Sequence, residues 1–375
     1  MIPFNKPKFN NQDLEYFAQA IKGGHSSGNG PFTHRAERLL EEIQGSGTAL
    51  LTTSCTHALE MSARLLDLRP GDEVIVPSYT FVSTASAFMW NGARPVFADI
   101  DERTLNIDPD SVESLITDRT RAICIVHYAG VGAQPERFVE LAAKKGLTLI
   151  EDNAHGLGAS YSSQTLGTFG SMSTLSFHET KNITCGEGGA LILNDPVLVE
   201  RAEILREKGT NRSNFLRGQV DKYTWVDNGS SWVISDLLAS LLTGQLERIQ
   251  EVTDGRLTSW KKYYESLHDW AFESNIELPC VPVEAQHTGH MFHLRLHDKE
   301  TRDRFIHHMK LQGVTSVFHY QSLHKSPVGV SLNENNRLCP NSDHASRSLV
   351  RLPMFTGLSE VQQARIISAA LNFRL

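Results

Sequence analysis

Leu147-Thr148-Leu149-Ile150-Glu151-Asp152-Asn153-Ala154-His155-Gly156 is a short apolar run that stops in two carboxylates, an amide and a histidine. A run of this length without polar alternation reads as a strand buried on both faces. Just before it, Pro135–Lys145 has helical spacing, and before that Ala122–Val126 is another apolar run. The same unit recurs on either side. Runs at Thr48–Thr53, Glu73–Val76, Arg94–Phe97, Thr174–Phe177 and Gly189–Leu193 alternate with helical stretches. One of these follows Ser54, with Ala58, Leu59, Ser62, Ala63 and Leu66 on one face, and another is Asp110–Ile116. Strands alternating with helices predict an α/β unit whose mostly parallel sheet is covered on both faces.

The pattern changes near residue 240. Leu242, Leu246, Ile249, Trp260, Tyr263 and Leu267 predict a long helix at about 241–267, with an interruption near Gly255. A smaller unit follows. His290–Leu296 and Val314–Tyr320 read as strands, Lys299–Leu311 as a helix, and Ser359–Leu371 as a helix capped by Ser359. The predicted division is a large domain over 1–245 and a small C-terminal domain over 246–375.

Composition sets the class. The 375 residues are 40% apolar and 21% charged, so a folded globular chain with room for two or three domains is expected. The net charge of −7 argues against bulk nucleic-acid binding. No apolar run approaches the roughly 18 residues of a membrane helix. The first residues lack a secretory signal's layout. Five cysteines are scattered with no zinc-site spacing. We therefore expect a reduced, cytoplasmic, metal-free protein.

Three stretches carry chemistry. The first is the strand end at Glu151–Gly156, where open α/β sheets bind ligands. A carboxylate there suits a pyridinium nitrogen, and the alternative is a helix N-cap by Asp152 or Asn153. The second is Ser176-Phe177-His178-Glu179-Thr180-Lys181-Asn182 followed by Gly186-Glu187-Gly188-Gly189. A lysine just past a buried strand can be desolvated, which frees its amine for Schiff-base chemistry. An exposed loop lysine is the other reading. The third is Thr52–Glu60, where a strand gives way to a helix within three residues. Its free N–H groups and the hydroxyls of Ser54 and Thr56 make an anion site, or simply a cap. Cys55 reads as packing. Phosphate cradle, ring acid and lysine together are what one cofactor, pyridoxal 5'-phosphate, requires.

The chain resembles the pyridoxal-phosphate-dependent aminotransferases of nucleotide-linked keto sugars (the DegT/DnrJ/EryC1/StrS type). The resemblance rests on Gly28–Thr33, Thr53–Leu59, Pro70–Thr84, Val126–Gly130, Glu151–Gly156 and Ser176–Gly189. It implies an aspartate-aminotransferase-like α/β fold (fold type I), with a mixed, mostly parallel sheet and a smaller C-terminal α+β domain. It implies Lys181 as the Schiff-base lysine, Asp152 on the pyridinium nitrogen, His155 at the ring side and Phe81 stacked on the ring. Ser54, Cys55, Thr56 and Ser176 would surround the phosphate. Ser231 stands where many members place an Asn on the neighbouring subunit's cofactor, so a homodimer is implied. Lys181 argues against the dehydratase branch, which carries histidine there.

Arg206–Trp225 looks most like the TDP-4-keto-6-deoxyglucose aminotransferases. That implies amino transfer from L-glutamate to carbon 4 of the TDP-sugar, for a surface polysaccharide or a secondary metabolite. Amination at carbon 3, a UDP-linked sugar, and a catalytically silent regulatory homologue are the alternatives. Arg201–Lys222 holds six basic and three acidic residues. That surplus suggests a docking surface for the sugar nucleotide's pyrophosphate, with Arg212 and Lys222 as candidates. His319, Tyr320 and His324 are candidates for touching substrate, since the resemblance turns their loop toward the site. His287, His290, His293, His307 and His308 read as packing or surface.

Overall fold

The computed structural model describes residues 1–333 and 337–375. All seven apolar runs become strands of one sheet: β1 (Thr48–Thr52), β2 (Glu73–Pro77), β3 (Arg94–Ala98), β4 (Thr120–Val126), β5 (Thr148–Asp152), β8 (Met172–Ser176) and β9 (Gly189–Leu193). The two-residue strands β6 (Ser160–Tyr161) and β7 (Gln164–Thr165) lie between β5 and β8, in a small separate sheet with β10 (Ala285–Gln286). The large sheet has the order β1-β9-β8-β5-β4-β2-β3. Strands β3, β2, β4, β5 and β8 pair in parallel, and β9 runs antiparallel to both β8 and β1. The sheet is therefore mixed and mostly parallel.

Both of its faces are covered. Helices Cys55–Leu65 and Ser83–Met89 pack with Val74, Val76, Cys124 and Ile150 on one side. Helix Pro135–Lys145 packs with Ile75, Ile123, Ile125 and Leu149 on the other. The alternation along each strand explains this, since odd and even positions face opposite layers.

A smaller sheet, order β11-β13-β12, is built from β11 (Phe292–Arg295), β12 (Val317–Phe318) and β13 (Leu349–Leu352). Helices Lys299–Leu311 and Glu360–Leu371 share its core with Phe292, Leu294, Val350 and Leu352. Asp298 and Ser359 cap these helices, and Ser359 with Gln362 forms a reciprocal capping box.

The structure differs from the sequence reading in two places. The long helix breaks at Glu247–Arg248, between helices Asp236–Leu246 and Ile249–Glu273, and Gly255 sits inside a continuous helix. Glycine weakens a helix by only about 1 kcal/mol, which neighbouring turns absorb. The expected strand Val314–Tyr320 shrinks to two residues, and β13 takes the centre of the small sheet. Contacts join the segments on either side of residue 245 in both directions. Ile2 joins the small unit's core through a bridge to Val314. Conversely, Leu323 donates its N–H to the Ser78 carbonyl at 2.8 Å, and Ser342 to Asp99 at 2.8 Å. No helix among the described residues is long and apolar enough to cross a membrane.

The end of β5 separates its two carboxylates. Glu151 is fully buried and accepts N–H bonds from Gly167, Phe169 and Gly170 at 2.8, 2.8 and 2.7 Å. His127 Nε2 lies 2.8 Å from the same carboxylate, while its Nδ1 accepts the Ala133 N–H. That places the proton on Nε2, facing Glu151. Glu151 thus fixes the turn that leads into β8. Replacing Glu151 with Ala strands three N–H groups, two buried and one part-buried, and is expected to lower unfolding free energy by roughly 3 kcal/mol. Urea unfolding checks this, and an unchanged midpoint would remove the carboxylate from that role.

Candidate active site

A cavity of about 530 Å³ opens at the carboxyl end of the parallel strands. Its walls come from five places: the start of helix Cys55–Leu65, the segment from β2 into helix Ser83–Met89, the ends of β4, β5 and β8, the loop after β8, and the small unit. Lys181, Asp152 and His155 all line it.

The helix start forms one wall. Ser54 caps the helix, its Oγ accepting the His57 N–H at 3.2 Å. The N–H groups of Cys55 and Thr56 have no protein acceptor among the described residues. Thr56 Oγ1 lies 2.7 Å from Ser83 Oγ, and Ser176 closes the far side. Free N–H groups and hydroxyls at a helix N-terminus suit an anion. Gly189 makes this wall possible. A Cβ there would lie 2.3 Å from the Ser54 carbonyl carbon and 2.4 Å from the Cys55 nitrogen. Capping and anion binding are therefore compatible uses of the same turn. Cys55 packs on the core, and burial pushes its thiol up to about 12, so it is no nucleophile.

Asp152 faces into the cavity because β5 alternates, so its side chain opposes that of Glu151. No helix follows it, which removes the capping reading. Thr84 Oγ1 donates to its Oδ2 at 2.7 Å and the Ala154 N–H to its Oδ1 at 3.2 Å. Burial still pushes the carboxyl above its ordinary range, against those bonds and the Lys181 charge. Such an acid gains most from a cation set against it.

Lys181 sits in a loop that closes on itself. Phe177 donates its N–H to the Gly188 carbonyl at 2.8 Å and accepts one from Cys185 at 3.1 Å. Gly186 turns that loop at φ +94°. Burial lowers the Lys181 ammonium to about 8, with Arg351 pushing the same way and Cys55 and Asp152 opposing. Roughly a tenth of such lysines are free amines at pH 7, against roughly one in 2,500 for an ordinary lysine.

His155 stacks on His290, ring centroids 4.4 Å apart and 19° from parallel. His290 is held by Asn182 at 3.0 Å. His155, His290 and His319 are all pushed well below the ordinary imidazole range, burial being the largest cause. They are neutral at pH 7, and His155 Nδ1 has no partner among the described residues.

Other expectations fare differently. Phe81 lines the cavity, but the residue is 55% exposed and its aromatic neighbour is Tyr320 at 6.3 Å. His319 and Tyr320 line the cavity; His324 does not, and is turned to Ser78 at 2.6 Å and Asp343. Ser231 is exposed, bridged to Glu207, and outside this chain's cavity. Arg212 and Lys222 are also exposed and outside it.

The basic surplus of 201–222 is largely consumed. Arg201 pairs with Asp67 and Asp227, Arg206 with Glu37, Lys208 with Glu207, and Arg217 with Glu203. Acids distant in sequence balance it, so counting along the segment overstated the field. Two cavity residues escaped the sequence reading, His290 and Arg351. His290 reads from the sequence as a packing histidine; its hydrogen bond to Asn182, inside the lysine motif, and its stack on His155 distinguish it.

Residues 7–371 match the model of the DegT/DnrJ/EryC1/StrS aminotransferase family, and the chain belongs to that family. Among solved structures it is similar to the aminotransferase TlmJ from Streptoalloteichus hindustanus, at 28% identity over 98% of this chain and 97% of that one, TM-score 0.90. It is similar to Spr1654 from Streptococcus pneumoniae in its PLP form, at 26% identity over 98% and 97%, TM-score 0.91. DesV of S. venezuelae is 29% identical over 97% and 95%, TM-score 0.88. The α/β fold expected from the sequence, that of fold-type I aminotransferases, is thereby shown.

The cavity's own residues fit pyridoxal 5'-phosphate. The donor wall at Ser54–Thr56 suits its phosphate, Asp152 a ring cation, and Lys181 its aldehyde. The lysine's titration can be read without the cofactor. Labelling of Lys181 in the apoprotein by a small amine-reactive reagent should rise with pH through a midpoint near 8. Peptide mass spectrometry checks it, and a midpoint at the ordinary value of about 10.4 would contradict the desolvation argument.

Proposed function

We propose that this aminotransferase moves an amino group from L-glutamate to carbon 4 of TDP-4-keto-6-deoxy-D-glucose, giving a TDP-4-amino-4,6-dideoxy sugar. One observation carries the chemistry: a lysine amine depressed by burial faces a buried carboxyl across a cavity with an anion site at its edge. The family supports amino transfer. The resemblance of Arg206–Trp225 supports the TDP-sugar and carbon 4.

Bound pyridoxal phosphate supplies an aldehyde to hold the amino group and a ring that absorbs electron density from the donor's α-carbon. The chain supplies the rest. Cys55 and Thr56 N–H groups, with the hydroxyls of Ser54, Thr56 and Ser176, hold the phosphate. Asp152, oriented by Thr84, would lie against the ring nitrogen, and its carboxylate would keep that nitrogen protonated. Lys181 takes a proton at one carbon and returns it at another, which a group titrating near neutrality does best. His155, neutral and stacked on His290, walls the ring side without adding charge. Phe81, an exposed part of the cavity's lining, would stack on the ring.

The proposal includes a homodimer in the cytoplasm. Phe215, Leu216, Tyr223, Trp225 and Val226 leave an exposed apolar stretch beside Ser231, which suits burial against a second copy. In that arrangement Ser231 reaches the partner's cavity.

The test is one incubation of protein, pyridoxal phosphate, glutamate and TDP-4-keto-6-deoxyglucose, followed by NMR. The expected product carries nitrogen at carbon 4. A small H3–H4 coupling identifies the galacto isomer and a large one the gluco isomer. Unchanged keto sugar, with glutamate still consuming the cofactor's aldehyde form, would overturn the assigned substrate.

A further inference from the structure

The loop that carries Lys181 is tied at its ends by its own bonds, from Phe177 to Cys185 and Gly188. Its middle is held from outside. Among the described residues, every hydrogen bond that residues 179–182 make beyond the loop goes to one of three partners. Asn5 Nδ2 donates to the Glu179 carbonyl at 2.9 Å. Asn182 Nδ2 donates to the Thr288 carbonyl at 3.0 Å, and its Oδ1 accepts from His290 Nδ1 at 3.0 Å. These two tethers flank Lys181 in the chain, and neither Asn5 nor Asn182 lines the cavity.

Both tethers lead to the small sheet. Thr288 and His290 run directly into β11. Asn5 reaches the same unit through a short strap. Ile2 donates its N–H to the Gly313 carbonyl at 2.7 Å and accepts the Thr315 N–H at 3.0 Å, and its side chain is buried in the small unit's core. Phe4 sets its ring 4.7 Å from the guanidinium carbon of Arg351 on β13, whose buried Nε has no hydrogen-bond partner among the described residues. Three residue steps from Ile2 to Asn5 span at most roughly 11 Å, and Pro3 fixes one φ among them, so the strap has little slack. Asp152 is placed otherwise, by the pairing of β5 with β4 and β8.

We propose that Asn5 and Asn182 are positioning residues for Lys181. They hang the middle of its loop from the small sheet, so the amine moves with the wall of His319, Tyr320 and Arg351 rather than with the sheet that carries Asp152. The inference rests on Lys181 as the proton carrier proposed above, and names what holds it in place. Proton transfer requires the amine within hydrogen-bond reach of its carbon, so a loosened loop lowers the rate without changing what the cavity binds. The chemistry at position 5 is specific. A carbonyl only accepts, so the tether needs a donor there. Asparagine supplies one, and an aspartate of the same shape cannot.

The experiment compares Asn5→Ala, Asn5→Asp and Asn5→Gln with the wild type, each loaded with pyridoxal phosphate. Amide hydrogen exchange is read by peptide mass spectrometry across residues 178–184, with β5 as the internal control. In Asn5→Ala and Asn5→Asp, exchange across 178–184 should quicken about fivefold, the worth of one neutral hydrogen bond, and β5 should not change. Cofactor absorbance then follows each half-reaction. Both should slow by the same factor, up to about fivefold, with KM for glutamate and for the keto sugar unchanged. Asn5→Gln keeps an amide donor and should recover part of both losses. Loop exchange at the wild-type rate in Asn5→Ala overturns the proposal. So does exchange that quickens equally in β5, which would make Asn5 a contributor to global stability alone, and so does a defect confined to KM. Exchange is read without donor or sugar, so an unreactive keto sugar counts against the assigned substrate and not against the tether.

Discussion

The site depends on one geometric constraint, the two-residue period of β5 at its carboxyl end. Neighbouring residues there point to opposite faces, so two adjacent carboxylates do unrelated work. Glu151 turns inward and ties down three backbone N–H groups and His127. Asp152 turns outward into the cavity, oriented by Thr84. A slip of one residue in the pairing of β5 with β4 and β8 would exchange them. It would set the shorter Asp152 side chain against the Gly167–Gly170 turn and the longer Glu151 into the cavity, so neither carboxyl would fit its partners. The register that stabilises the sheet is the register that makes the site.

Desolvation then sets the electrostatics. The same burial that raises Asp152 lowers Lys181 and keeps the surrounding imidazoles neutral. Near pH 7 the cavity holds an acid with room for a cation, an amine partly free to accept a proton, and one guanidinium. Each of these groups is incomplete without a ligand. That incompleteness separates them from the structural pairs nearby, such as Arg206 with Glu37, where both charges are answered inside the fold.

Much of this was legible in the sequence. Each apolar run of the large sheet was readable because it is buried on both faces and punctuated by turns. Lys181 and Asp152 were readable because each lies within four residues of the end of such a run. What was missed comes from contacts between distant segments. Leu349–Leu352 is a short run broken by a charge and ended by Pro353, so β13 gave little strand signal, and Arg351 was hidden with it. His290 meets His155 across 135 positions, and no local spacing announces that stack. The basic segment misled for the same reason, because Asp67 and Glu37 lie far from it in sequence.

The central claim is that Lys181 carries the proton in both directions. The direct measurement is a single turnover of Lys181→Ala, loaded with pyridoxal phosphate and mixed with glutamate, following the cofactor's aldehyde and amine forms by absorbance. The account predicts retained cofactor and conversion slowed by about a thousandfold. It also predicts partial recovery when a small free amine is added. Conversion at the wild-type rate, with cofactor bound, would contradict it.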